Sequence, residues 1–176
     1  KKVIISAPAT DPQIKTIVIG INDDKLIDDD TIVSNASCTT NCVAPMVKVI
    51  DELCGIEEGF ITTTHAYTGD QNIHDAPHKD LRRSRAAAQN IIPTSTGAAK
   101  AIGKIFPNLD GKLEGIGIRV PVIDGSMTDL VCKVSNPIDA NKIRLAFEDL
   151  SNGDLKGVLS YTEEPIVSVD IIGDPN

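Results

Sequence analysis

No apolar run approaches the roughly 18 residues that a membrane-crossing helix needs. No repeat or low-complexity segment interrupts the chain. Cysteine is scarce: the 176 residues hold four, at 38, 42, 54 and 132, with no Cys-x-x-Cys pair. That is too few for a disulfide scaffold, and a reducing cytoplasm is the expected setting. The three histidines do not fall at zinc-ligand spacing. Positive charge is outnumbered, 17 Lys and Arg against 25 Asp and Glu, for a net charge of −8. This argues against a general nucleic-acid surface. The start, Lys-Lys-Val-Ile-Ile-Ser, has no Met and no secretory-signal pattern, so the chain is expected to begin within a longer one.

What is present reads as alternating strands and helices. Residues 2–6, 16–20 and 31–34 are short β-branched runs, the first two separated by the turn-rich Ala-Pro-Ala-Thr-Asp-Pro. Residues 23–30 hold five aspartates and one lysine, a solvated loop. A helix is expected from Cys38 to about Leu53, closed by Gly55, and a strand over 59–64 that delivers His65. Residues 66–93 are polar and irregular, with helix possible over 81–89; a loop of this length is usually functional. A helix over 96–105, strands over 113–120 and 127–134 forming a hairpin, a helix over 139–152 and a final strand over 166–172 complete the expectation. Three short strands followed by strands mixed with helices predict an α+β domain with a largely antiparallel or mixed sheet, preceded by the tail of another unit.

The most informative segment is Ser34-Asn-Ala-Ser-Cys-Thr-Thr-Asn-Cys42. Apolar residues follow it at helical spacing: Val43, Met46, Val47, Ile50 and Leu53. Cys38 therefore falls in the first turn of a helix, with Ser37 as N-cap. The positive end of a helix dipole favours thiolate over thiol, and thiolate is the nucleophile. Nearby hydroxyls and backbone N–H groups suit an oxyanion or phosphate. On the residues alone, Cys38 and Cys42 are also compatible with two buried helix cysteines or half of a metal site. Cys42 is expected to be buried. Cys54 and Cys132 read as inert core residues. His65 is a proton-transfer candidate at a strand end, while His74 and His78 read as surface residues. Lys79 to Arg85 carries four positive groups and one negative, compatible with a phosphate ligand, a subunit contact or solvated surface. Arg119 shares a strand face with Gly115 and Gly117, opposite Ile116, Ile118 and Val120.

The segment 34–42 with Val43-Ala44-Pro45 resembles the active-site stretch of phosphorylating glyceraldehyde-3-phosphate dehydrogenases. So, in order, do His65-Ala-Tyr-Thr-Gly-Asp-Gln71, Pro77-His-Lys-Asp-Leu-Arg-Arg83, Ser95-Thr-Gly-Ala-Ala-Lys-Ala101 and Arg119-Val-Pro121. The resemblance covers essentially the whole chain. It implies that 1–37 is the end of a Rossmann-type NAD-binding domain and 38–176 a catalytic domain without its C-terminal portion. The Gly-rich phosphate fingerprint of the cofactor domain is absent.

The same resemblance implies roles. Cys38 is the nucleophile and His65 its acid–base partner. Arg119 and Thr68 correspond to the substrate-phosphate site. Ser37, Thr39, Thr96 and Gly97 correspond to the inorganic-phosphate site, and Ser6 to a contact on the nicotinamide side of the cofactor. No metal is implied. Pro77 leans the cofactor toward NAD without excluding NADP, and Ala76 is a weaker match. The 79–85 stretch resembles the loop that nears a neighbouring subunit's cofactor in a homotetramer. The implied activity is glycolytic oxidation and phosphorylation of glyceraldehyde 3-phosphate. The competing readings are an erythrose-4-phosphate dehydrogenase, a cysteine-dependent hydrolase or acyltransferase, and an inactive structural or interaction module.

Overall fold

A computed structural model describes residues 1–176. It contains two separate sheets. The first has β1 (Val3–Ile5), β2 (Lys15–Thr16) and β3 (Ile32–Ser34) in the order β1-β3-β2. Both pairings are parallel, with Val3 opposite Ile32 and Lys15 opposite Val33. The second strand is shorter than the run 16–20 suggests. Asn22, buried at the turn, takes its place: its side chain accepts from Val18 N–H at 2.8 Å and donates to the Thr16 carbonyl at 2.9 Å. Those backbone groups are satisfied by a side chain, so the ladder stops.

From β3 the chain passes through Ala36, a non-glycine residue at φ 57°, into α1 (Cys38–Cys54). Ser37 caps the helix, its Oγ accepting from Thr40 N–H at 3.1 Å. Gly55, at φ 66°, ends it. The apolar stripe predicted from the sequence is buried, with Val43, Ala44 and Val47 fully enclosed.

The second sheet is mixed, in the order β5-β6-β4-β7. Its centre is β4 (Ile56–Ala66), eleven residues long. On one side β4 runs parallel to β6 (Leu113–Val120), and on the other antiparallel to β7 (Ser126–Val134). β5 (Ile92–Ser95) lies antiparallel to β6 at the edge. The expected β6–β7 hairpin is thus not formed, because β4 lies between the two strands. Residues 121–125 arch over the end of β4 instead, the Val122 and Gly125 carbonyls accepting from Tyr67 N–H and Ala66 N–H at 3.2 and 3.3 Å.

α1 and α2 (Ala98–Ile105) pack with this sheet around a core that includes Val43, Val47, Ile61, Ile102 and Leu113. The helices cover the face of β6 that carries Gly115, Gly117 and Arg119, not the isoleucine face. Ile116, Phe60, Met127 and Val131 on the other face are exposed. Glycine is needed at 115 for space: a Cβ there would stand 2.6 Å from the Ile61 carbonyl oxygen. α3 (Ala140–Asn152), N-capped by Asp139, packs against α1 through its partly covered apolar stripe. The fold class is α+β with a mixed sheet.

Two expected elements are absent. Residues 166–172 form no strand. Asp170 accepts from Val167 N–H at 2.7 Å and closes a 3-10 turn over Ser168–Ile171. Residues 81–89 form turns with a 3-10 segment, Ala87–Gln89. Asp80 accepts from Arg82 N–H at 2.9 Å, Asp75 from Ala86 N–H at 2.9 Å, and the Asn72 carbonyl from Ala87 N–H at 3.0 Å. The Ala86 and Ala87 donors, which a helix would pair internally, are thus taken by acceptors earlier in the loop, and Asp80 forms a local turn with Arg82.

A Gly115→Ala substitution tests this packing. In an open strand it would be neutral or favourable. Here the added methyl meets backbone, so we expect a loss of about 1–3 kcal/mol, read by chemical denaturation. Unchanged stability would mean that β4 and β6 can separate freely at this point.

Candidate active site

Most of the functional residues expected from the sequence converge at one end of the second sheet. Cys38 opens α1 and His65 is the penultimate residue of β4. The Cys38 Sγ lies 3.2 Å from His65 Nε2. The other ring nitrogen, Nδ1, is 2.7 Å from the Ala66 carbonyl oxygen. A carbonyl only accepts, so Nδ1 carries the proton and donates. The ring nitrogen facing sulfur is therefore Nε2, which accepts from the thiol when neutral or donates to the thiolate when charged.

These two side chains open on a cleft of about 240 Å³. Of the residues expected in the site, Ser37, Thr39, Thr96, Gly97 and Arg119 line it with them. Ser37 is also engaged in capping, its hydroxyl 2.7 Å from that of Thr40. Gly97 caps α2, so the N-termini of both α1 and α2 face the cleft. Their free N–H groups and dipoles favour an anion there. The 15 lining residues include two arginines and no carboxylate. The chemistry offered is a nucleophile, a proton acceptor and a strongly electropositive wall.

Arg119 reaches the cleft because β6 pairs with β4 in the register that sets it opposite His65. Its Nη1 donates to the Ala66 carbonyl at 3.1 Å and to Thr68 Oγ1 at 3.0 Å. Both Nη1 hydrogens are thus used within the protein. Nε and Nη2, one planar edge of the guanidinium, make no hydrogen bond to the chain and keep three donors. Burial, and the nearby Arg83 cation, push the Arg119 pKa down from its ordinary value. An anion between the two would relieve that strain.

Two expected site residues lie off the cleft. Thr68 stands behind Arg119 and lines an adjoining cavity with Tyr67 and Gln71. Ser6 is exposed beyond the end of β1 and does not line the cleft, whereas Pro8, two residues on, does. Cys42 is exposed, not buried as expected, because it lies on the side of α1 away from Val43 and Val47. Cys54 is buried and Cys132 partly so, and burial pushes the Cys132 thiol pKa up. His78 is more enclosed than a surface residue, its side chain 15% exposed and near Asp70. No group of three or more His, Cys, Asp and Glu is placed to hold a metal.

Arg83, Thr63 and Thr94 also line the cleft and were not singled out as site residues by sequence reasoning. Arg83 Nε donates to Thr94 Oγ1 at 2.8 Å, and its Nη1 pairs with Asp70. That pairing holds the Asp70 carboxyl below its ordinary range. The basic run 79–85 signalled such a cation without saying which residue turns inward. Thr63 was within reach of the alternation of β4, since it shares a face with His65.

Comparison with known proteins bears on what this cleft is. The model of the glyceraldehyde 3-phosphate dehydrogenase C-terminal domain matches residues 37–176. The chain belongs to that family. It is 58% identical over its whole length to glyceraldehyde-3-phosphate dehydrogenase of Mycobacterium leprae and 59% identical to that of Mycobacterium avium. Glyceraldehyde-3-phosphate dehydrogenase 2 of Streptomyces avermitilis is 60% identical over 177 aligned positions. The chain spans about half the length of these curated relatives, 52% in each case. For a member of the glyceraldehyde 3-phosphate dehydrogenase family, the matched region holds the whole of the cleft lining except Pro8. The first sheet, through residue 34, precedes it.

Cys38 and Cys42 provide an internal control, since both are exposed but only Cys38 has a histidine partner. With iodoacetamide near neutral pH, Cys38 is expected to alkylate about tenfold or more faster than Cys42, and Cys54 slowest. Peptide mass mapping of a time course gives the rates. Equal rates at 38 and 42 would show that exposure alone governs reactivity and that His65 does not activate the sulfur.

Proposed function

We propose that this chain carries the catalytic machinery of a phosphorylating glyceraldehyde-3-phosphate dehydrogenase, working in glycolysis and forming 1,3-bisphosphoglycerate. The observation that supports this most is the Cys38–His65 contact at 3.2 Å in the same cleft as the free edge of Arg119. A generic cysteine hydrolase needs the first pair but has no use for the second feature.

Cys38 acts as thiolate and attacks the aldehyde carbon of the substrate. A C–S bond forms, the carbonyl C=O π bond opens, and the oxygen takes a proton from the His65 imidazolium to become the hydroxyl of a thiohemiacetal. Helix N-terminal N–H groups in the cleft suit that oxygen. His65 Nε2 takes the hydroxyl proton as the carbon loses hydride. When bound, NAD supplies the hydride acceptor. Cys38 then holds the acyl group as a thioester. Inorganic phosphate attacks it, the C–S bond breaks, and Cys38 leaves as thiolate with an acyl phosphate released. Sulfur serves because it both attacks and leaves well.

Arg119 holds the phosphate of the substrate through its Nε and Nη2 edge, with Thr68 fixing the guanidinium from behind. Ser37, Thr39, Thr96 and Gly97 hold the attacking phosphate, with Arg83 on the same wall. Residues 1–37 form the end of a cofactor domain and 38–176 belong to the catalytic domain. The carboxyl ends of β1 and β3 lead to the cleft rim, where Ser6 and Pro8 would contact the nicotinamide side of NAD, or of NADP, when it binds. The reaction takes place in the cytoplasm, where thiols stay reduced, within a homotetramer.

The test uses a protein of the relatives' full length that carries this chain. NADH formation should require both glyceraldehyde 3-phosphate and inorganic phosphate. Release of free acid without phosphate would favour the hydrolase reading, and a preference for erythrose 4-phosphate would move the substrate. His65→Asn should slow the hydride step by about two to four orders of magnitude. Unchanged turnover would place the base elsewhere.

Arg119→Leu removes a charge-assisted contact worth about 1.5–3 kcal/mol. The kcat/KM for the phosphorylated aldehyde should fall roughly ten- to a hundredfold. An unphosphorylated aldehyde should lose much less, and Lys should restore only part. Equal losses for both aldehydes would remove Arg119 from the substrate-phosphate site.

A further inference from the structure

The Ala66 carbonyl oxygen receives two hydrogen bonds from two functional side chains, His65 Nδ1 at 2.7 Å and Arg119 Nη1 at 3.1 Å. Ala66 is the last residue of β4 and pairs with Val120 at the end of the β4–β6 ladder. A carbonyl oxygen has two lone pairs, and both are engaged here. Arg119 cannot swing freely to a different acceptor, because the second Nη1 hydrogen is tied to Thr68 Oγ1 at 3.0 Å.

We propose that Arg119 is a positioning residue for His65, acting through the Ala66 carbonyl, with Thr68 as its anchor. The His65–Ala66 bond decides which ring nitrogen faces Cys38. A carbonyl free to rotate toward water would hold that proton less firmly, and the ring would sample the tautomer that puts N–H toward a neutral sulfur. Arg119 fixes the direction of the carbonyl. It also couples the base to the anion edge: a phosphate held on Nε and Nη2 fixes the guanidinium plane, so Nη1 holds the Ala66 carbonyl toward His65 Nδ1–H more firmly. Occupancy of the anion site thereby sets the base in the orientation that chemistry needs. This rests on the reading of Cys38 and His65 as nucleophile and base, but not on the identity of the aldehyde.

The experiment is done on this chain without cofactor. Imidazole nitrogen NMR shifts report the His65 tautomer, iodoacetamide labelling reports Cys38, and calorimetry with inorganic phosphate reports the anion site. In Arg119→Leu the Nδ1 and Nε2 shifts should move toward each other and Cys38 alkylation should slow about three- to tenfold, the equivalent of one hydrogen bond. Arg119→Lys should recover part of both. Thr68→Val should move the same two readings in the same direction by less, and Thr68→Ser should restore them. The Thr68 pair carries the test if Arg119→Leu does not fold. Adding phosphate to the unmodified chain should move the His65 Nδ1–H proton resonance downfield.

Unchanged His65 shifts and Cys38 rate in Arg119→Leu, with phosphate binding lost, would overturn the inference and leave the anion role of Arg119 intact. Shifted His65 signals with phosphate binding retained would support the inference and remove the substrate-phosphate assignment instead.

Discussion

The parallel pairing of β4 with β6 is the constraint on which the site depends. One register, His65 beside Arg119, puts a proton acceptor and a guanidinium on neighbouring strands and on the same face. A slip of one residue would put the two side chains on opposite faces of the sheet. Parallel strands cannot be joined by a tight turn. The long excursion from 67 to 112, which holds β5, α2 and the Arg83 loop, is the connection that this pairing requires. The polar segment that looks irregular in the sequence is thus where the sheet recruits its second cation, and the helix that follows supplies the second N-terminus.

The same pairing explains Gly115, where a Cβ would stand 2.6 Å from the Ile61 carbonyl oxygen on β4; at Gly117 one would only touch Thr94 of β5. Arg119, at the end of the row, is the first side chain on that face after the two glycines. It emerges where the helices begin and the cleft opens. Burial and the neighbouring Arg83 cation act together at this point, and both push the guanidinium pKa down.

Much of this was legible in the sequence, for local reasons. The Ser37 cap, the apolar stripe of α1 and the Gly55 stop are all written in neighbouring residues, so α1 matched closely. The start of β4 was hidden because Glu57 and Glu58 interrupt its pattern. They are tolerated by pairing with Lys133 across the strand, at 3.0 and 3.7 Å. The β6–β7 hairpin failed because adjacency in sequence says nothing of a third strand from elsewhere. The strand at 166–172 failed because one aspartate captured a backbone donor. For the site, Cys38, His65 and Arg119 were reachable from spacing and family resemblance. The inward turn of Arg83 was not, since it depends on Asp70 and Thr94, both distant along the chain.

The turn at Ala36 has a consequence for which sequences can occupy it. A left-handed conformation costs a residue with a Cβ about 1–2 kcal/mol, and Ala36 is also 2% exposed. A larger residue would meet the surrounding core, and a β-branched one would add a backbone penalty. Glycine would relieve the backbone but enlarge the freedom of the unfolded chain. Position 36 is therefore a narrow optimum, nearly closed to mutational drift, although it touches no reactant and carries no functional group. Two residues from Cys38, the chain's tolerance is set by shape alone.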